Sequence, residues 1–206
     1  MKLSRILLSL LLLAAPALHA QGSFERVRPA LSQGRYPEAA RELQRIALAG
    51  EASQKPDAAD EKMLRGAIDA ARKTVQSGPP AYRNAARQVL CLSRAYFPEE
   101  DLPGTEQALR VGGGVQRPEL IGKPVQPPYP AQARKVGLQG VVIIEVIIDQ
   151  EGCVRHPRVL KGLPFGLDRA ALTAVQSWTF QPATLEGHPR AVYYVLTVPF
   201  SLKDSR

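Results

Sequence analysis

Histidines and cysteines are the side chains of this chain that most readily do chemistry. His19 lies at the end of an apolar leader, His156 precedes a proline in a predicted strand, and His188 precedes a proline in a predicted turn. None has a nucleophile or a carboxylate at a spacing typical of a catalytic site. The sequence has no Gly-x-Ser-x-Gly motif, and glycines 112–114 lack the Lys-Ser or Lys-Thr of a phosphate-binding loop. We therefore expect no enzyme activity, no cofactor and no metal.

The first twenty residues have the pattern of a secretory signal peptide. Lys2 and Arg5 precede the apolar run 6–15, and small-residue sites follow it up to Ala20. The run is shorter than the ~20 apolar residues that a transmembrane helix needs. We expect cleavage after Ala20 and export to the periplasm. The alternative is an uncleaved leader that associates with the inner membrane.

The two cysteines lie in what the sequence predicts to be different domains. Cys91 falls within an apolar helical pattern, and Cys153 falls in a turn after Asp149. Export would place both in an oxidising compartment, where an inter-domain disulfide could form. The apolar setting of Cys91 favours the other interpretation, which is two unlinked thiols, one of them a small core residue.

The composition is that of a globular protein with one ordinary domain and a smaller one. Of the 206 residues, 45% are hydrophobic and 22% are charged, and the formal net charge is +8. Lys and Arg form no cluster of the nucleic-acid-binding type, so we expect a solvated basic surface and no nucleic-acid partner. An envelope structural protein that uses this surface on acidic polymers stays an alternative.

The first half of the mature chain, residues 21–108, shows helical periodicity throughout. We expect helices over 24–31, 38–49, 57–77 and 81–96, separated by turns at Gly34 and at residues 78–80. The stretch 30–40 resembles the middle of a tetratricopeptide repeat, and an irregular four-helix bundle is the alternative. Residues 109–128, rich in proline and glycine, are expected to form a linker.

The last part of the chain, residues 129–206, changes period. A short helix is expected over 129–136, followed by a β-branched strand over 141–148 and a second strand over 154–160. An amphipathic helix over 165–178 and a strictly alternating strand over 191–202 complete the order α-β-β-α-β. Trp178 ends the apolar face of its helix, so we expect it in the core.

This ordered set of segments resembles the C-terminal domain of TonB-family proteins. The resemblance runs from about residue 111 to 202, and its segments are 126–130, 131–140, 141–149 with Gly152, 167–183 and 195–200. It implies an α+β fold in which the helical domain precedes a small domain with a three-stranded antiparallel sheet.

The resemblance also implies a binding mode. In this family the domain lies in the periplasm and holds an extended peptide near the N-terminus of an outer-membrane receptor, as a strand added beside its last strand. Pro199 fits an edge strand, because proline cannot donate to a central ladder. The implied partner-binding residues are Tyr193, Tyr194, Val195, Leu196, Thr197, Val198 and Phe200 of the last strand, and Gln126, Pro127, Tyr129 and Pro130 before the first helix.

The sequence departs from a complete TonB energy transducer, which has a transmembrane helix and a long spacer rich in Pro, Lys and Glu. We therefore expect a periplasmic protein that binds an envelope partner. The alternative is a membrane-anchored energy transducer for TonB-dependent transport across the outer membrane. An exposed last strand could also pair with a second copy and give a homodimer.

Overall fold

The fold comes from a computed structural model that describes residues 24–49, 56–97 and 107–202. The predicted signal peptide lies outside the described residues. The chain divides into a helical half (24–49 and 56–97) and a sheet half (107–202). The mixed α+β class expected from the sequence is confirmed.

The helical half contains helices α1 (Val27–Ser32), α2 (Tyr36–Leu48), α3 (Ala58–Ser77) and α4 (Pro80–Arg94). Each boundary follows a residue that favours it. Pro37 lies in the first turn of α2, and the Asp57 side chain caps α3 by accepting the backbone N–H of Asp60 at 2.7 Å. The helices pair as two hairpins, α1 with α2 and α3 with α4, and α2 packs against α4.

The core of the helical half is built from the apolar faces that the 3.6-residue period predicts. Leu43, Ile46, Leu64, Val89 and Leu90 have at most 1% of their surface exposed. One buried acid lies in the first turn of α3.

That acid is Asp60, which is 2% exposed and accepts a hydrogen bond from Arg28 Nη2 at 2.6 Å. The Arg28 partner in α1 thus ties the first helix to α3, and a lone buried carboxylate is avoided.

The sheet half is organised around the strands β3 (Gly140–Ile148), β4 (Val154–Lys161) and β8 (Val192–Phe200). β3 pairs antiparallel with β8 in an unbroken register from Gly140–Phe200 to Ile148–Val192. β3 also pairs antiparallel with β4, with one register shift opposite residues 159–161 and a second opposite residues 155–158, where Pro157 cannot donate to the ladder.

Two helices, α5 (Ala131–Lys135) and α6 (Leu167–Gln176), complete the predicted α-β-β-α-β order. Their apolar residues share one core with the sheet, which includes Ala133, Ile144, Leu167, Val175 and Val198. Trp178 joins this core at 8% exposure, and its Nε1 donates to the backbone O of Val125 at 3.0 Å.

Residues 109–128, expected to form a linker, contain two short strands in the structure. β1 (Leu109–Arg110) pairs parallel with the start of β8, so the main sheet has the order β1-β8-β3-β4. β2 (Glu119–Leu120) pairs with β5 (Phe180–Gln181), and β6 (Ala183–Leu185) forms a hairpin with β7 (His188–Arg190). Two-residue strands carry no periodicity, which is why the composition alone suggested a linker here.

Cys91 of α4 and Cys153 at the end of the β3–β4 hairpin form a disulfide with an S–S distance of 2.09 Å. The expectation of two unlinked thiols is therefore wrong. Cys91 does lie on the apolar face of its helix, as expected. The hairpin packs against this face, so both cysteines are buried at the junction of the two halves.

Arginines of the helical half surround the same hairpin. Arg72 Nε donates to Glu151 Oε1 at 2.6 Å, and Arg94 Nη1 donates to Glu151 Oε2 at 2.5 Å. Arg87 Nη1 donates to the backbone O of Glu151. Further out, Gln181 and Asn84 are hydrogen-bonded at 2.9 Å. The two halves are thus joined by a covalent bond and by charge-assisted hydrogen bonds to one short hairpin.

Asp149 starts this hairpin and is 1% exposed. Its Oδ1 accepts the backbone N–H groups of Glu151 and Cys153, each at 2.9 Å. Its Oδ2 has no hydrogen-bond partner among the described residues and lies 3.8 Å from Arg94 Nη1. Burial raises the pKa of Asp149 above that of an ordinary aspartate, and this outweighs the hydrogen bonds and the charge of Arg94 that act to lower it.

We expect Asp149→Asn to remove a pH dependence of stability. Because the folded state holds the Asp149 proton more tightly, the free energy of unfolding should fall as pH rises from ~3.9 through the raised folded pKa. The asparagine keeps the Oδ1 acceptor but does not titrate. Urea unfolding across this range should therefore show the variant gaining stability relative to the wild type as pH rises. Asp69→Asn, at an exposed position of α3, is the control, and parallel curves for Asp149→Asn would contradict the prediction.

Candidate functional site

The candidate site is the outer side of β8, the side that faces away from β3. On this side, within the described residues, β8 pairs only with β1, through the register pairs Leu109–Val192 and Arg110–Tyr193. The stretch from residue 194 to 200 therefore presents an open sheet edge.

The backbone geometry identifies which groups of β8 face outward. The Ala191 carbonyl accepts the N–H of Leu109 at 2.9 Å, so it points away from β3. Backbone direction alternates along a strand, and the register with β3 is unbroken, so residues 193, 195, 197 and 199 point the same way. Val195 and Thr197 thus offer both an N–H and a C=O at the open edge, whereas Pro199 offers only a C=O.

The position of Pro199 explains how a proline is accommodated in this strand. Its missing N–H falls on the outer side, so the ladder between β3 and β8 loses no hydrogen bond there. Pro199, which suggested an edge strand from the sequence alone, thus lies at an outward-facing position of an open edge.

Side chains of β8 alternate between the core and the outer sheet face. Leu196, Val198 and Phe200 are buried at 6%, 1% and 4% exposure, so they offer a partner little beyond backbone. Val195 and Thr197 share the opposite face of the strand, where Val195 is half exposed and Thr197 is exposed. Tyr193 and Tyr194 are partly buried, one on each face.

The second predicted contact segment lies at the far end of the open edge. The Tyr129 ring meets the Phe200 ring edge-on, with 5.7 Å between centroids, and the Tyr129 hydroxyl donates to the backbone O of Leu138. Pro130 immediately precedes α5, while Gln126 is exposed and Pro127 is partly buried. The structure therefore brings Tyr129 to the end of β8.

Three charged residues that the sequence reasoning missed, Glu145, Arg110 and Arg158, lie near the other end of the edge. Glu145 of β3 is directly opposite Val195, and it pairs with Arg110 at 3.2 Å and with Arg158 at 2.7 Å. The hydrogen bond from Arg158, helped by Arg110, lowers the pKa of Glu145 below that of an ordinary glutamate. Arg110 also lies over the Tyr193 ring, 4.8 Å from its centroid. A lone carboxylate within the apolar run 141–148 was the signal available in the sequence.

The two described histidines lie on the surface, and His188 begins β7 instead of lying in the predicted turn. His156 and His188 are exposed, on β4 and β7 respectively. No group of three or more His, Cys, Asp or Glu within the described ranges is placed to hold a metal ion. In the same ranges, no helix combines the length and the apolar character needed to cross a membrane.

Comparison with known proteins points to one domain family. The family model described as Gram-negative bacterial TonB protein C-terminal matches residues 125–202. Protein TonB of Vibrio cholerae serotype O1 is 36% identical over 90 residues, which is 43% of this chain and 37% of that protein. Protein TonB of Xanthomonas campestris pv. campestris strain B100 is 36% identical over 86 residues, which is 41% of this chain and 39% of that protein.

One solved structure is also similar. The solution NMR structure of the Pseudomonas aeruginosa TonB CTD aligns with a TM-score of 0.35 and 24% sequence identity, covering 47% of this chain and 94% of that one. The chain spans 37% and 39% of the lengths of the two curated relatives named above. The family match falls on the α-β-β-α-β segments that end in β8. Residues 125–202 of this chain therefore form a TonB C-terminal domain.

Proposed function

We propose that this protein is a non-catalytic, periplasmic TonB-family protein that binds an extended peptide segment of an envelope partner. The partner segment adds as a strand on the outer side of β8, and a TonB-dependent outer-membrane receptor is the kind of partner expected. The observation that carries the proposal is the open edge, with the outward N–H and C=O groups of Val195 and Thr197 and the C=O of Pro199.

The ends of this edge set the register of the added strand. β1 already occupies the outer side at Val192 and Tyr193, so a partner would pair from Val195 onward. Its side chains would alternate between the face of Val195 and Thr197 and the face of Tyr194. Main-chain hydrogen bonds would provide affinity, and these two faces, with Arg110 and Tyr129 at their ends, would provide selectivity.

The domain boundaries and the location belong to the same proposal. Residues 1–20 are a signal peptide, residues 21–108 are a helical domain for a second partner, and the chain from 129 onward is the peptide-binding domain. Support for placing the helical half close to the peptide-binding domain comes from the disulfide and the arginines that join it to the β3–β4 hairpin.

A membrane-anchored energy transducer is the second candidate, since the curated relatives carry the name Protein TonB. Cell fractionation with mass spectrometry of the N-terminus separates the two. A product beginning near Gln21 in the periplasmic fraction supports the periplasmic binding protein, and an intact N-terminus in the inner-membrane fraction supports the transducer.

Val195→Pro is expected to weaken peptide binding about tenfold while the domain stays folded, because a lost hydrogen bond and the ring at the contact together remove about 1.4 kcal/mol. The N–H that is lost faces outward, as at Pro199, so pairing with β3 is retained. Fluorescence anisotropy would measure binding of labelled synthetic peptides that cover the periplasmic N-terminal segments of TonB-dependent receptors from the same organism.

Val195→Ala is the matched control, since it shortens the same side chain but keeps the N–H. Thermal unfolding of both variants checks that the fold persists. Equal binding by Val195→Pro and Val195→Ala would contradict strand addition at this edge. If the protein instead self-associates through β8, sedimentation would show a dimer that only Val195→Pro disrupts.

A further inference from the structure

A cleft of about 530 Å³ opens between the two halves and shares no lining residue with the open edge of β8. Its apolar wall consists of Val75 and Leu90 from the helical half and Pro182 and Pro189 from the sheet half. Clefts of this size at domain junctions, mostly apolar with a few polar groups, are typical of small-molecule sites.

The polar lining of the cleft is dominated by cations and amides. Arg72, Gln76, Arg87 and Gln150 face it, and Glu151 is its only acidic lining residue among those described. Both oxygens of Glu151 already accept hydrogen bonds from arginines. The carboxylate of Asp69 also contacts Arg72, at 3.4 Å, but that side chain is 80% exposed on the solvent side.

Arg87 is the unusual member of this lining. It is 9% exposed, and its Nη1 donates only to a backbone carbonyl, that of Glu151. Its Nε is buried without a hydrogen-bond partner, and no carboxylate in the described part of the chain hydrogen-bonds to its guanidinium. Burial lowers the pKa of Arg87, and this outweighs the nearby charges of Glu151 and Asp149, which act to raise it.

The position of Arg87 is fixed by packing. Its Cδ lies above Gly152, 3.3 Å from where a Cβ would stand at that glycine. This contact and the hydrogen bond from Nη1 to the backbone O of Glu151 hold the guanidinium in the cleft wall. A buried cation beside an open, largely apolar space is a preformed site for a negatively charged group.

We propose that this cleft binds a small organic oxyanion, a carboxylate or phosphate carried on an apolar body. The anionic group is held by Arg87 and Arg72, and the amides of Gln76 and Gln150 provide further donors. The apolar body lies against the Val75, Leu90 and proline wall. Because both halves contribute to the wall, such a ligand also stabilises their docked arrangement.

An NMR titration of the disulfide-bonded protein with phenyl phosphate, and in parallel with inorganic phosphate, tests this proposal. We expect saturable shifts of the Arg87 Nε–H signal and of the Gln76 and Gln150 side-chain amides. Phenyl phosphate should bind more tightly than inorganic phosphate, because only the former offers an apolar body to the wall.

Gln76→Glu places a negative charge, of the same sign as the ligand's phosphate, at the exposed rim of the cleft. It should weaken phenyl phosphate binding about tenfold. Gln132→Glu makes the same charge change on α5, outside the cleft, and should leave binding unchanged. Both positions are exposed, so neither variant should unfold the protein. Shifts that do not saturate, equal binding of the two phosphates, or equal weakening by the two substitutions would each overturn the proposal.

Discussion

Gly152→Ala is expected to destabilise the protein by more than about 4 kcal/mol, enough to prevent the β3–β4 hairpin from docking in its native position. A Cβ at this residue would lie 1.8 Å from the backbone O of Phe180, which is far inside van der Waals contact. The φ angle of 87° adds a further cost of about 1–2 kcal/mol for any residue with a side chain. Relief of the clash would also break the hydrogen bond from Phe180 N to Gly152 O.

Gly187→Ala is the matched control for this substitution. Its φ of 80° is nearly the same, but nothing lies within 4 Å of the added Cβ. It should therefore show only the backbone cost of about 1–2 kcal/mol. Urea unfolding followed by Trp178 fluorescence measures both variants. Equal losses at the two glycines would mean that the close contact with Phe180 contributes nothing.

Loss of the disulfide is the second large expected effect. The bond joins residues 62 positions apart, and a closed loop of this length is worth about 4 kcal/mol of chain entropy. The double variant Cys91→Ala/Cys153→Ala should lower the free energy of unfolding by about this amount. It should also uncouple the halves, because only noncovalent contacts, among them the hydrogen bonds and ion pairs of Glu151, then hold the hairpin on the helical half.

Reduction of the wild-type protein provides an independent test, because it retains both sulfur atoms. Unfolding of the reduced protein should follow that of the double alanine variant, and probes in the two halves should report different midpoints. A thiol assay confirms that the bond is open. If protein with two free thiols unfolded in both halves at the same midpoint as the disulfide-bonded protein, this account would be contradicted.

The three long strands and the two helices of the sheet half were predictable because their patterns are strong. β3 is a run of β-branched residues, and β8 alternates so regularly that its core face could be assigned in advance. Trp178 was expected in the core for the same reason and lies there, two residues after the end of α6, whereas α5 begins at Ala131 and not at the expected residue 129. Local patterns of this kind need no knowledge of distant neighbours.

The features that the sequence could not provide depend on contacts between distant segments. The Cys91–Cys153 bond requires the docking of α4 against a hairpin, and no local pattern reports docking. β1 is only two residues long, so its pairing beside β8 is a tertiary contact and has no periodic signal.

The candidate site shows the same division. Pro199 predicted an edge, and the alternation of β8 predicted a strand with two unlike faces. The residues implied as partner-binding nevertheless included Leu196, Val198 and Phe200, whose side chains are buried. The extent of the open edge, by contrast, is set by where β1 ends. The charged residues beside it come together because Arg110 of β1 and Arg158 of β4 both contact Glu145 of β3.

The disulfide also determines how the chain would carry a mechanical load. A covalent path from α1 to β8 can pass from Cys91 directly to Cys153, so the backbone between them lies outside it. Tension applied between the helical half and a partner strand on β8 would pass through the sulfur–sulfur bond. The enclosed segments, among them β1 and the central strand β3, would be pulled only through their hydrogen bonds and packing. In this chain the covalent tether between the helical half and β8 is therefore much shorter than the sequence between them.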